Sequence, residues 1–123
     1  MAVLLVIDDD EGMRKLMVRT LRDSKHRVLE AENGREGLKI MDEHAPDLVI
    51  TDILMPQKEG IETIREVQER APATKIIAIS GGGVSQNLMF LDVARAFGAH
   101  AVLAKPFRPA ELVETVAQVL GGA

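Results

Sequence analysis

Asp8 and Asp9, Asp52, Ser80 and Lys105 each stand where a short apolar run gives out: VLLVI before Asp8, LVIT before Asp52, IIAI before Ser80 and AVLA before Lys105. Acids, a hydroxyl and an amine meeting at strand ends are the groups needed to take a phosphoryl group onto a carboxylate. Asp8, Asp9, Asp10 and Glu11 form an acidic cluster at a strand-to-helix junction, where carboxylates also serve as helix caps and face the positive end of the helix dipole. Taken alone, the cap and the metal site weigh equally. Asp52 tips the balance, because a third carboxylate from another strand repels the first two, and a like-charge pair ~4 Å apart costs ~4 kcal/mol at an effective dielectric near 20. A cation is therefore expected. All-oxygen donors without a His or Cys cluster favour magnesium, which binds one or two carboxylates plus a phosphate oxygen.

The other two groups are ambiguous singly. Lys105, between AVLA and Pro106-Phe107, could be a snorkelling surface lysine, but a strand-end lysine held by a following proline is more consistent with a positioned charge. Ser80 leads into Gly81-Gly82-Gly83 and alone reads as a turn residue. No GxGxxG or GxxxxGK[ST] nucleotide loop is present, and an acidic first loop would repel a diphosphate. His26, His44 and His100 are widely spaced and read as surface or strand-edge residues.

Two kinds of segment alternate to carry these groups: apolar, β-branched runs at 3–7, 27–31, 47–51, 75–79 and 100–104, and amphipathic stretches at about 11–24, 34–44, 59–70, 84–97 and 109–120. Runs 47–51 and 75–79 lack polar alternation, the pattern of parallel strands covered by helices on both faces. Segment 27–31 reads as an edge strand. Asn33 with Glu36 resembles a helix N-cap box, Pro46 and Pro72 follow helices, and Gly98 ends the fourth. The pattern predicts an α/β, doubly wound (βα)5 fold with a five-stranded parallel sheet. In the order 2-1-3-4-5, the crevice at the carboxyl ends of the first and third strands would gather Asp8, Asp9 and Asp52, with Ser80 and Lys105 on the following strands.

A chain of 123 residues is expected to form one domain, 1–123. Fifteen basic against nineteen acidic side chains leave a net charge of −4 with no basic run, which argues against direct nucleic-acid binding. No cysteine is present, which excludes thiolate and disulfide chemistry, and the start lacks the basic region of a leader. No apolar stretch approaches the ~20 residues of a membrane span, so a soluble, cytoplasmic protein is expected.

Together these residues resemble the response-regulator receiver domain of two-component signalling, over essentially the whole chain. The matching elements are Asp8-Asp9, Asp52-x-x-Met55-Pro56, Ser80 at the family's Ser/Thr position, and Lys105-Pro106-Phe107. The resemblance implies a flavodoxin-like fold and an Asp52 that accepts a phosphoryl group from a histidine kinase or a histidine phosphotransfer protein. It also implies magnesium held by Asp9, Asp52 and the backbone carbonyl of Leu54, with Asp8 acting through water, Ser80 and Lys105 on the phosphoryl oxygens, and a cis peptide before Pro106. Such a domain is a signalling phosphoacceptor rather than an enzyme, promoting its own phosphorylation and dephosphorylation. Among residues 88–97 only Asp92 and Arg95 are charged, a helix apolar nearly all round, which points to an output protein bound through residues 84–104. Two departures stand out: Val102 occupies the place of the family's aromatic switch residue, and Arg108 stands where Asp or Ser usually caps the last helix. A haloacid-dehalogenase-type phosphatase would want a second Asp two residues after Asp52, where Leu54 stands. A flavodoxin-like electron carrier would want a hydroxyl-rich phosphate loop and aromatics. A degenerate receiver that binds without phosphorylation would not need the complete acid, hydroxyl and lysine set.

Overall fold

Five parallel strands form one sheet in the computed structural model, which describes residues 2–53, 59–80 and 98–121. The elements are β1 (Val3–Ile7), α1 (Glu11–Asp23), β2 (Arg27–Ala31), α2 (Gly34–His44), β3 (Leu48–Asp52), α3 (Glu59–Arg70), β4 (Lys75–Ser80), β5 (Ala101–Ala104) and α4 (Pro109–Gly121). The strand order is β2-β1-β3-β4-β5. This is the doubly wound order expected from the alternation, with β2 at one edge. The expected helix at 84–97 and the glycine run Gly81-Gly82-Gly83 lie outside the described residues.

The central strands are apolar on both faces because both are covered. Leu4, Val6, Leu48, Ile50, Ile77 and Ile79 point to a core shared with Met17 and Leu21 of α1 and Leu112 and Val116 of α4. Their neighbours Leu5, Ile7, Val49, Ile76 and Ala78 point the other way, to Leu38 and Met41 of α2 and Ile64 and Val67 of α3. Side chains alternate across a strand, so an unbroken apolar run is stable only between two helical layers. Each fully buried aliphatic side chain contributes about 1.5–3 kcal/mol.

Local chemistry sets the helix starts. Asp10 caps α1, its carboxylate accepting the Met13 N–H at 3.1 Å. Asn33 caps α2 by accepting the Glu36 N–H at 2.8 Å. At α4, Pro109 takes the first helical position and Arg108 supplies no side-chain acceptor; instead the Glu111 carboxylate accepts the Arg108 backbone N–H at 3.2 Å. That is the reciprocal half of a capping box. The third and fourth strands reach one residue further than the apolar runs suggest. Asp52 still pairs with Ile79, and Ser80 with Ala104, so ladder hydrogen bonds fix both backbones.

Candidate functional site

The carboxyl ends of β1, β3, β4 and β5 bring five of the sequence-derived residues, Asp8, Asp9, Asp52, Ser80 and Lys105, into contact or onto adjoining strands. Asp8 leaves β1 fully buried, its N–H bonded to the Ala31 carbonyl of β2 at 3.1 Å. Its Oδ1 accepts the Asp10 N–H at 2.9 Å, which turns the chain into α1. The acidic run thus divides its work: Asp10 caps the helix, Asp8 is sealed beneath the site and Asp9 stays exposed at the mouth. Asp52, the last residue of β3, is 5% exposed. Carboxylate oxygens of Asp8, Asp9 and Asp52 lie within 4.8 Å of one another.

Lys105 completes the cluster from β5. Its ammonium donates to Asp52 Oδ2 at 2.9 Å and Asp8 Oδ2 at 3.4 Å, so it is a positioned charge and not a snorkelling one. The peptide to Pro106 is cis. The backbone N–H of Lys105 donates to the Ser80 carbonyl at 2.7 Å, placing Ser80 between the acidic strands and the lysine. Ser80 is fully buried at the end of β4, one residue beyond the partner of Asp52 in the sheet.

Burial pushes the Asp8 carboxyl above its ordinary value, and the nearby Asp52 charge adds to this; the Asp10 N–H and Lys105 work against it. Burial also disfavours the Lys105 ammonium, but its hydrogen bond to Asp52 and the charges of Asp52 and Asp8 outweigh that and hold its pKa above the usual lysine value. Among the described residues one ammonium sits against two of three clustered carboxylates, which leaves an excess of negative charge at the site. An all-oxygen donor set of this kind, with two members buried, fits a hard divalent cation such as magnesium. Leu54, whose carbonyl the resemblance implicates, lies outside the described residues, as do Met55 and Pro56.

Three contributors were not anticipated from the sequence. Arg14 is buried in the first turn of α1, its guanidinium donating to the Asp8 carbonyl at 2.8 Å and to Glu30 of β2 at 3.0 Å. A cation in a helix's first turn opposes the dipole, and that misplacement was a readable signal. Lys15 also donates to Glu30, at 3.0 Å; despite its burial, Glu30 is held below the usual carboxylate range by these two partners. Gly60 is the third. A Cβ there would collide with the backbone of Asp52 and Ile53, so only glycine lets α3 start against the strand that carries Asp52.

The remaining residues sit apart. Val102, partly buried, packs into the core on the α2–α3 side and pairs with Ala78. His100 is largely exposed and its Nδ1 accepts the Ile76 N–H at 3.1 Å; partial desolvation of the ring, and then the nearby Lys75 charge, lower its pKa. His26 Nδ1 accepts the Ala2 N–H. A groove of about 790 Å³ between α2 and α3, lined by residues such as Arg35, Lys39, Glu62 and Arg70, holds none of the clustered acids. No helix among the described residues is long and apolar enough to cross a membrane.

Comparison with known proteins gives a consistent result. Residues 4–117 match the family model of the response regulator receiver domain. The chemotaxis protein CheY of Listeria monocytogenes is 36% identical over 117 residues, covering 94% of this chain and 96% of that protein. The crystal structure of the receiver domain of NtrX from Brucella abortus superposes with a TM-score of 0.90 at 27% identity, covering 98% of this chain and 99% of that one. Longer NtrX from the same organism superposes with a TM-score of 0.92 at 28% identity; the match covers 98% of this chain and 27% of that chain. The same module thus occurs in chains of very different length.

Proposed function

The chain belongs to the response regulator receiver domain family, and from that premise we propose that Asp52 is its phosphoacceptor, with Asp8, Asp9, Ser80 and Lys105 as the working groups around it. The observation that carries this assignment is the Lys105 ammonium held 2.9 Å from Asp52 and 3.4 Å from Asp8, in a pocket where three carboxylates converge.

A carboxylate oxygen of Asp52 attacks phosphorus in line. The bond from phosphorus to the donor's leaving atom breaks, that atom leaves with its electron pair, and an acyl phosphate remains. Lys105 is within reach of Asp52 and binds an equatorial phosphoryl oxygen as charge spreads over it; Ser80 donates its hydroxyl to another. Asp9 and Asp52, with the Leu54 carbonyl, would hold magnesium, and Asp8 would act through its waters. Bound there, the metal neutralises phosphoryl charge and relieves the repulsion among the carboxylates. The packing that buries Asp8 and Asp52 shields their contacts from bulk water, which strengthens those contacts.

Phosphorylation adds a dianion-like group to the pocket. Ser80 follows the new acceptor oxygens and biases the segment after β4 toward a minor conformation, which converts the chemistry into a change of surface. The phosphoryl donor is a histidine kinase or histidine phosphotransfer protein, and the receiving partner is an output protein that reads residues 84–104. The region 1–123 acts as one receiver unit.

Acetyl phosphate with magnesium is the direct test. Intact-mass measurement should show one added phosphoryl group, lost in the Asp52→Asn variant and in the presence of a chelator. The same mass gain in Asp52→Asn at the same rate would refute the assignment.

A further inference from the structure

The Asp8 backbone is tied to the edge strand β2 on both sides of its Cα, through its N–H and through its carbonyl. The Asp8 N–H donates directly to the Ala31 carbonyl at 3.1 Å. The Asp8 carbonyl is reached through a relay: Arg14 Nη1 donates to it at 2.8 Å, while Arg14 Nε donates to Glu30 Oε1 at 3.0 Å. That carbonyl belongs to the peptide joining Asp8 to Asp9, so its orientation sets the direction in which Asp9 leaves the strand. Asp8 is sealed in place and Asp10 is committed to the helix cap, but Asp9 is exposed. Its aim depends on the peptide before it.

The relay is built to be stiff. The guanidinium is planar and has a fixed fork of donors, so one side chain bridges two acceptors in a set geometry. The Arg14 side chain is 10% exposed and that of Glu30 25%, so the bridge is largely shielded. Lys15, 59% exposed, shares the same Glu30 oxygen, which keeps Glu30 anchored from the solvent side.

Resting on the reading of Asp9 as a cation ligand, we propose that Arg14 is a positioning residue that aims Asp9 at a divalent cation, and that Glu30 locks Arg14 in that role. The competing possibilities differ in sign. If Arg14 acted only as a nearby positive charge, removing it would tighten cation binding, because repulsion of the metal would fall. If it served only to stabilise the fold, removing it would lower stability and leave affinity unchanged. As a positioning residue its loss weakens binding, as loss of groups that orient metal ligands typically does, by about 10–100-fold.

The experiment is a magnesium titration of the unphosphorylated protein by calorimetry, paired with urea denaturation in chelator. Arg14→Met should weaken magnesium binding by about tenfold or more. Arg14→Lys should not rescue it, since one ammonium cannot reproduce the fork. Glu30→Gln keeps an oxygen for Arg14 Nε and should bind magnesium within about threefold of the parent, whereas Glu30→Ala should resemble Arg14→Met. Unchanged or tighter binding in Arg14→Met, or full rescue by Arg14→Lys, overturns the inference. If Arg14→Met does not fold, the Glu30→Ala and Glu30→Gln pair decides: equal affinities overturn it. Absence of magnesium binding in the parent protein sinks the assignment of the metal site itself, a result distinct from any of these.

Discussion

Replacing Asp8 with Asn should stabilise the protein when no metal is bound, and the structure explains why. The Asp8 carboxylate lies 3.4 Å from the Lys105 ammonium and within 4.8 Å of the Asp52 carboxylate. At an effective dielectric near 20 these separations correspond to about 5 kcal/mol of attraction and about 3.5 kcal/mol of repulsion. Asp9 adds further repulsion, weakened by its exposure. The pairwise terms nearly cancel, so lost hydration decides, and it amounts to several kcal/mol for a buried ion even after relaxation. The Asp10 N–H returns part of that. This balance is why burial, first, and Asp52 push the Asp8 carboxyl above its ordinary value of 3.8. A carboxyl raised on folding binds more protons in the native state, so its contribution to stability is full below the unfolded pKa and is lost as pH rises through the folded value. At neutral pH the charge is a net cost. Asparagine removes it, keeps an oxygen for the Asp10 N–H, and leaves Lys105 paired with Asp52. We expect Asp8→Asn to gain about 1–3 kcal/mol in urea denaturation at neutral pH in chelator. The gain should shrink as pH falls through the folded pKa of Asp8. Magnesium should reverse the order of advantage, because the parent gains stability by mass action as it binds the ion while the variant gains less. A variant less stable than the parent in chelator, or one that gains as much from magnesium, would refute the reasoning.

Gly60→Ala places a methyl group against the Asp52 and Ile53 backbone and should cost about 1–3 kcal/mol as an overpacking change; because the displaced atoms carry Asp52, the proposed phosphoacceptor, the rate of phosphorylation by acetyl phosphate should fall as well, and a loss of stability with an unchanged rate would count against this coupling. Lys105→Met removes the ammonium that sits between Asp8 and Asp52. Magnesium should then bind more tightly, by calorimetry, while the phosphorylation rate drops by about 10²–10³, the usual effect of deleting one donor to a developing oxyanion. Weaker magnesium binding in that variant would mean that the lysine supports the metal rather than competing with it.

Runs such as LVIT and IIAI declare strands buried on both faces because burial acts on each residue separately, and the helix starts at Asp10 and Asn33 are legible because a cap is a contact over three residues. The order of the elements, the parallel sheet and the types of the site residues were therefore open to inspection in the chain alone. The doubly wound order put Lys105 on a strand near the acids and the resemblance put it on the phosphoryl oxygens, but its direct contact with Asp8 was not read from the sequence, since it spans 97 residues and no local preference encodes it. The division of the acidic run into a sealed acid, an exposed acid and a cap depended on which carboxylate met the sheet and which met the helix. The Arg14–Glu30 tie and the glycine-sized gap at Gly60 came from tertiary structure, because each requires two elements to approach to within a side chain's width. Local sequence determines what each segment must bury and how it starts and stops; the packing of α1 on β2 and of α3 on β3 decides which polar groups meet, and it is that meeting that turns strand ends into a site.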